Sequence, residues 1–307
     1  MKTIVVGFDA RQEAMDALAL GRELAAADEA ELHVAVVQPR GGAPFERAVA
    51  GARISEELDD QLFETAARAL EGLDFTRASL DGSLGGRSAA RALYEYAEER
   101  GADLIVVGSS HRGKLGRILP GSVGESLLRG APCAIAVAPR GFAGREHEGF
   151  ALVGSAYDGS EEAELALREA ERVSRALGAE LRVITVVPTQ AQFTMKAALA
   201  GELLEDIRDE FRGVLERGLA ELDEGTKAEA DLREGDPAEV LAKETEGLDL
   251  LVVGSRGYGP IRGALLGGVS AAVTRTAACP ILVVPRGGPV ARGAAVPRAE
   301  IADAGAA

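Results

Sequence analysis

The amino-acid sequence predicts an α/β protein of two tandem, doubly wound domains, each a five-stranded parallel sheet with helices on both faces. Three observations lead there. The chain of 307 residues repeats itself: Asp103-Leu-Ile-Val-Val-Gly108 returns as Asp249-Leu-Leu-Val-Val-Gly254, an offset of 146 (254 − 108), and Gly121-Ser122-Val123 returns at that offset as Gly267-Gly268-Val269. Short apolar runs alternate with segments of helical periodicity, as expected of a parallel sheet covered on both faces. In both copies an apolar run ends in glycine and empties into a loop that leads to a helix start, the arrangement that builds a nest of backbone N–H groups.

Taken in order, the first copy opens with a strand from Thr3 to Phe8, ending at Asp9. Ala14, Ala17, Leu18, Gly21 and Leu24 recur at helical spacing and predict an amphipathic helix to about Ala27. Glu31 to Val37 is the second strand, closed by Pro39 and Gly41-Gly42; an acidic helix runs from about Gly51 to Glu71. Phe75 to Leu80 is a third strand, Asp81 to Gly86 a loop, Ala89 to Arg100 a helix, Asp103 to Val107 the fourth strand and Ala134 to Val137 the fifth. Pro139-Arg140-Gly141 closes the copy, and the boundary is placed near Glu146, giving domains 1–146 and 147–287.

The second copy repeats the order: a strand from Phe150 to Tyr157, Asp158-Gly159-Ser160 as loop and N-cap, a helix to Leu177, and a strand from Glu180 to Val187. Gln192 to Glu224 reads as a long helical insertion. Ala228 to Arg233 is the third strand, Gly235-Asp236-Pro237 starts a helix, and Asp249 to Val253 and Pro280 to Val284 complete the sheet. Residues 288–307, dominated by Gly, Ala and Pro without periodicity, read as a disordered tail.

Composition narrows the function. A net charge of −15 argues against nucleic-acid or acidic-membrane partners, since phosphate surfaces select basic ones. No run approaches the roughly 18 apolar residues of a membrane span. The opening run reaches Asp9 too soon for a signal peptide, so a cytoplasmic protein is expected. Cys133 and Cys279 occupy equivalent places and each opens an apolar run, which reads as a buried hydrophobe and not as redox chemistry. His33, His111 and His147 have no metal-site spacing, and no metal is expected.

In a sheet of order 3-2-1-4-5 the winding reverses between strands one and four, and a ligand crevice lies there at the carboxyl ends of the strands. Asp9 then faces Gly108, and Asp158 faces Gly254. Gly108-Ser-Ser-His-Arg-Gly113-Lys114 matches a Walker A loop up to its lysine, but Leu115 removes the Mg²⁺-binding hydroxyl and Pro260 replaces the lysine in the second copy. The loop is therefore not read as that of a P-loop NTPase.

A different pattern fits. Gly254-x2-Gly257-x9-Gly267, with Asp158-Gly-Ser at the end of strand one, Asp249-Leu-Leu-Val-Val-Gly254 and Pro280-Ile-Leu-Val-Val-Pro285, resembles the ATP-binding members of the universal stress protein family, over nearly the whole chain to Arg286. The resemblance implies a tandem adenine-nucleotide binder acting in stress responses, with ATP as ligand, with or without Mg²⁺, in one or both domains. It implies a site of Gly254, Ser255, Arg256, Gly257, Gly267, Gly268, Val269 and Ser270, with Asp158 toward ribose or adenine and Val186 against adenine. The first-copy counterparts are Gly7, Asp9, Val36, Gly108, His111, Gly121, Ser122 and Val123.

The residues support this reading on their own terms. A glycine at Gly257 lets backbone approach a phosphate, and the Gly267-Gly268-Val269 turn starts a helix with free N–H groups. Neither copy is complete: the second has Gly268 where Ser or Thr is usual, and the first has His111 at the middle glycine. His111, Arg112, Lys114 and Arg117 are either phosphate contacts or a solvated basic loop. Asp9 and Asp158 are either ligand acceptors or residues that end strands and cap helices. No general base stands at a fixed place near either loop, so a binder is expected before an enzyme. A slow ATPase or phosphotransferase and a ligand-free dimerisation module are the alternatives. The apolar final strands lie at sheet edges, which invite pairing; in the resembling family such strands associate. An intramolecular pseudo-dimer is expected, and further pairing into a homodimer is left open.

Overall fold

The computed structural model describes residues 1–9, 11–38, 52–81, 88–110, 114–130, 132–145, 149–189, 201–255 and 267–286. The tail 288–307 and the proposed boundary near Glu146 lie outside these residues. The first copy contains β1 (Thr3–Phe8), α1 (Gln12–Asp28), β2 (Glu31–Gln38), α2 (Ala52–Leu70), β3 (Thr76–Asp81), α3 (Ala89–Arg100), β4 (Leu104–Gly108), α4 (Ser122–Leu128) and β5 (Ala134–Ala138). After a 3₁₀ turn at Phe142–Gly144, the second contains β6 (Leu152–Ala156), α5 (Glu161–Leu177), β7 (Glu180–Pro188), α6 (Gly201–Ala220), β8 (Ala228–Gly235), α7 (Pro237–Glu244), β9 (Leu250–Gly254), α8 (Gly268–Thr274) and β10 (Ile281–Val284).

The ten strands form one sheet in the order β3-β2-β1-β4-β5-β10-β9-β6-β7-β8. Each copy is thus a parallel 3-2-1-4-5 sheet, and the copies meet where β5 and β10 pair antiparallel, Leu282 opposite Ala136. These all-apolar strands would otherwise be exposed edges, so pairing them removes unpaired backbone and buries their side chains together. The expected pseudo-dimer is this seam. Apolar clusters cover both faces and each draws residues from both copies: Val6, Leu18, Val36, Leu167 and Val183 on the side of α1, α2, α5 and α6, and Ile105, Leu93, Ile184, Leu241 and Val273 on the side of α3, α4, α7 and α8.

Local chemistry explains the element boundaries. Ser160 caps α5 by accepting from Ala163 N, and Asp236 caps α7 by accepting from Ala238 and Glu239 with Pro237 at the first helical position. Gly101 and Gly178 end α3 and α5 in the left-handed conformation that glycine adopts without strain. The aspartate of the repeated Asp-Leu-x-Val-Val-Gly motif ties strand four to strand one: Asp103 accepts from Lys2 and Thr3 N–H, and Asp249 from Ala151 and Leu152 N–H. On α1, buried Asp16 accepts from Gly141 N at 2.7 Å and Ala143 N at 2.9 Å, pinning the turn between the copies. Burial outweighs these bonds and holds its carboxyl above the usual carboxylate range.

One expectation is corrected. The segment read as an insertion between the second and third strands of the second copy is α6, which occupies the same crossover as α2 in the first. It is the regular repeat helix. Among the described residues, no helix is long and apolar enough to cross a membrane.

Candidate functional site

A cavity of about 480 Å³ opens at the carboxyl ends of β6, β7 and β9. It lies at the reversal of winding, where an open α/β sheet leaves a crevice because the crossovers on its two sides leave in opposite directions. Asp158, Val186, Gly254, Gly267, Gly268, Val269 and Ser270 all line it. Seven of the residues singled out in the second copy, spread over more than a hundred positions of sequence, therefore border one cavity.

The polar side of the cavity is built by helix starts. Asp158 ends the segment after β6, and its carboxylate accepts from Ser160 N at 3.1 Å and Ser160 Oγ at 2.6 Å. Opposite, Gly267 is the N-cap of α8, and Ser270 Oγ donates to the carbonyl of Gly254 at 2.8 Å, fixing the helix start against the end of β9. The first N–H groups of such a helix have no intrahelical acceptor. Among the described residues, a Cβ built on Gly268 meets no atom within 4 Å, which leaves room there for the hydroxyl-bearing residue that the first copy carries as Ser122.

Gly254, besides lining the cavity, has a packing role. A Cβ there would lie 2.5 Å from the carbonyl oxygen of Glu162 and 2.7 Å from its carbon, and one at Gly108 would lie 1.8 Å from the carbonyl oxygen of Glu13. Glycine ends the fourth strand in both copies because the first turn of α1 or α5 rests directly on it. Glu162 in turn lines the cavity and pairs with Arg286 at 3.2 Å, so the Pro-Arg-Gly closure of the second copy anchors the same helix start.

The apolar side was only partly legible. Val186 of β7, the residue expected there, is joined by Ala156, Tyr157, Ile184, Pro188, Phe211, Pro237 and Leu241. Tyr157 is buried, and burial together with nearby Glu164 pushes its phenol above the ordinary value, leaving it neutral at physiological pH. Its ring lies on α6 because Gly218 has no side chain; a Cβ there would sit 2.5 Å from the ring. Pro237 stands at the Gly235-Asp236-Pro237 helix start, a signal that the sequence offers, whereas Pro188, at the end of β7, is not singled out by it. Phe211 carries no such signal, since its direction depends on how α6 crosses the sheet.

In the first copy, Gly108, Gly121, Ser122 and Val123 occupy the equivalent strand end and helix start, with Gly121 the N-cap of α4. Asp9 accepts from Arg11 N at 3.1 Å and pairs with Arg11 at 3.5 Å. Gly7 packs toward Leu93 of α3. Val36 is not brought to this crevice. Phe8 pairs with Val36 while Ala156 pairs with Ile184, which makes Val36 the counterpart of Thr185 and Val37 the counterpart of Val186. A shift of one residue moves a strand side chain to the opposite face, and Val36 is buried in the core under α1 and α2. Arg117 is not a phosphate contact either: it pairs with Glu246 and donates to the carbonyl of Thr276 of the second copy. Ser255 is buried below the cavity and donates its N–H to Val284. His111, Arg112, Arg256 and Gly257 lie outside the described residues.

Comparison with known proteins agrees with this architecture. The profile of the universal stress protein family matches twice, over residues 1–139 and 152–285. A universal stress protein of Mycolicibacterium smegmatis is 31% identical over 200 residues, covering 64% of this chain and 66% of that protein. Similar mycobacterial proteins match over 61% of their own length, so the chain matches a little under two thirds of these relatives. The crystal structure of a universal stress protein from Archaeoglobus fulgidus superposes with a TM-score of 0.65 at 20% identity, covering 93% of this chain and 98% of that one, a likeness of fold. A universal stress protein crystallised in complex with cAMP is 26% identical and covers 45% of this chain and 99% of that one, with a TM-score of 0.32.

Proposed function

This chain belongs to the universal stress protein family as a tandem member, and we propose that its second copy binds an adenine nucleotide, ATP first among them, in the cavity between β6 and β9. The observation that carries this reading is the convergence of Asp158, Val186, Gly254 and Gly267 to Ser270 on a single cavity. Its two walls differ in chemistry as a nucleotide's two ends do. Ile184, Val186, Pro237 and Leu241 offer an apolar slot for a flat base. Asp158 offers a carboxylate acceptor for ribose hydroxyls, and the start of α8 offers backbone donors to anionic oxygens. Occupancy of this site is the regulated variable in a cytoplasmic stress response.

The first copy keeps Ser122 at its helix start but has His111 at the middle glycine and Arg117 engaged elsewhere. The second copy is therefore the higher-affinity site. Mass spectrometry of the purified, denatured protein should detect adenine nucleotide. Calorimetry with ATP, ADP and cAMP on nucleotide-stripped protein should give one dominant binding event. No co-purified nucleotide and no heat of binding would leave a ligand-free dimerisation module. Phosphate release from ATP, abolished by Val186→Asp, would make the site a slow ATPase.

A further inference from the structure

Arg117 belongs to the first copy, yet both of its described side-chain partners belong to the second. Its Nη2 lies 2.5 Å from Glu246 Oε1, just past the end of α7, and its Nη1 donates to the carbonyl of Thr276, just past the end of α8, at 3.2 Å. Beside it, buried Ile118 donates its N–H to the carbonyl of Ala277 at 2.9 Å. The helices so bridged both line the cavity: α7 through Pro237 at its start and Leu241, α8 through Gly268 and Val269 at its start and Val273. Thr245, 1% exposed, adds a second tie between the same ends by accepting from Ala278 N at 3.0 Å. At 1.5 Å per residue these helices are only about 10–12 Å long, so a change in spacing at one end reaches the other.

We propose that Arg117 is a positioning residue for the nucleotide cavity of the other copy: by holding the ends of α7 and α8 together it sets the width of the slot between their beginnings. The device runs in one direction. The counterpart of Arg117 in the second copy is Gly263, and the counterpart of Glu246 in the first is Arg100, so the sequence has no reciprocal pair to hold α3 and α4. Seating the clamp on the first copy and the ordered cavity on the second gives the tandem arrangement a role beyond burying two strand edges. The inference rests on the proposed nucleotide site, and its test separates the two.

The test compares the full-length protein with Arg117→Ala, Arg117→Lys and Asp28→Asn. The last removes a cross-copy ion pair, Asp28 with Arg172, on α1 and α5, away from the clamp. ATP affinity is measured by calorimetry, and amide hydrogen exchange is followed without nucleotide over 237–244 and 268–274. Arg117→Ala should weaken ATP binding on the order of threefold to tenfold and speed exchange in both helices by a similar factor. Arg117→Lys, which keeps the charge opposite Glu246, should recover part of each effect, and Asp28→Asn should leave both unchanged. Wild-type affinity and wild-type exchange in Arg117→Ala would overturn the clamp even if thermal stability fell. Faster exchange with unchanged affinity, or an equal loss of affinity in Asp28→Asn, would overturn it too. If the wild type binds no nucleotide, the functional reading fails, and unaltered exchange in Arg117→Ala alone would then overturn the clamp.

Discussion

Gly254→Ala tests whether the glycine that ends the fourth strand serves the ligand or the fold. The new methyl carbon would stand 2.5 Å from the carbonyl oxygen of Glu162, 2.7 Å from its carbonyl carbon and 3.0 Å from its Cβ. Two of the three atoms are backbone, so no rotamer change relieves the clash; the first turn of α5 must retreat by about 1 Å to regain ordinary contact. Forced overpacking of this kind costs about 1–3 kcal/mol. The retreat carries Asp158, Ser160 and Glu162 with it and strains the Glu162–Arg286 pair. Chemical denaturation should therefore show a loss of about 2 kcal/mol, with nucleotide affinity falling alongside. Gly268→Ser, at the start of α8, is the counterpart.

 Among the described residues, a Cβ at position 268 meets nothing within 4 Å. Gly268→Ser should keep wild-type stability to within about 0.5 kcal/mol, as an uncrowded surface change does, and should tighten nucleotide binding by adding a hydroxyl donor to the cavity. A Gly254→Ala protein with wild-type stability would refute the argument that α5 rests on this strand end.

Two further outcomes follow from buried ionisable groups. Asp16 has a carboxyl held above its ordinary value, so the native state binds its proton more tightly than the unfolded chain does. Its stabilising share is therefore complete below the unfolded value of about 4 and is lost as pH rises through the higher native one. Asp16→Asn, which cannot accept from both Gly141 and Ala143, should be less stable than wild type by about 1–3 kcal/mol at acid pH. The gap should narrow as pH rises from about 4, and a gap that widens in urea titrations over that range would contradict the assignment. Cys133 is buried with its thiol pushed up to about 12, and burial pushes Cys279 higher still. Neither should react with iodoacetamide at pH 8 in the native protein, and both should react on unfolding; mass spectrometry of a labelled native chain would decide against this.

The fold was legible because each copy repeats the same apolar runs at nearly the same spacing, and alternation of strand and helix leaves few ways to cover a parallel sheet. The site was legible where one residue type serves one backbone purpose, as at Gly267 and Asp158. It was not legible where face matters. Val36 and Val37 are equally apolar neighbours, and only the strand register assigns Val37 to the face that carries Val186. Phe211 reaches the cavity through the packing of α6 on β7 and β8, which no local pattern encodes. Gly254 has a second purpose that the motif did not show: its missing side chain makes room for α5, while the residue itself lines the cavity. Asp158 serves the capping role weighed for it, through Ser160, and lines the cavity as well.

The antiparallel seam between β5 and β10 has a consequence for inheritance. A homodimer joined along such strands carries every substitution twice, so a change that improves one half must be tolerated by its twin in the other. Here both halves are encoded once each, in one chain. Glu246 and Arg100, or Gly257 and His111, can differ because each arises from its own codon. The seam keeps the halves together while they diverge, so one half is free to specialise in holding a ligand and the other in supporting it.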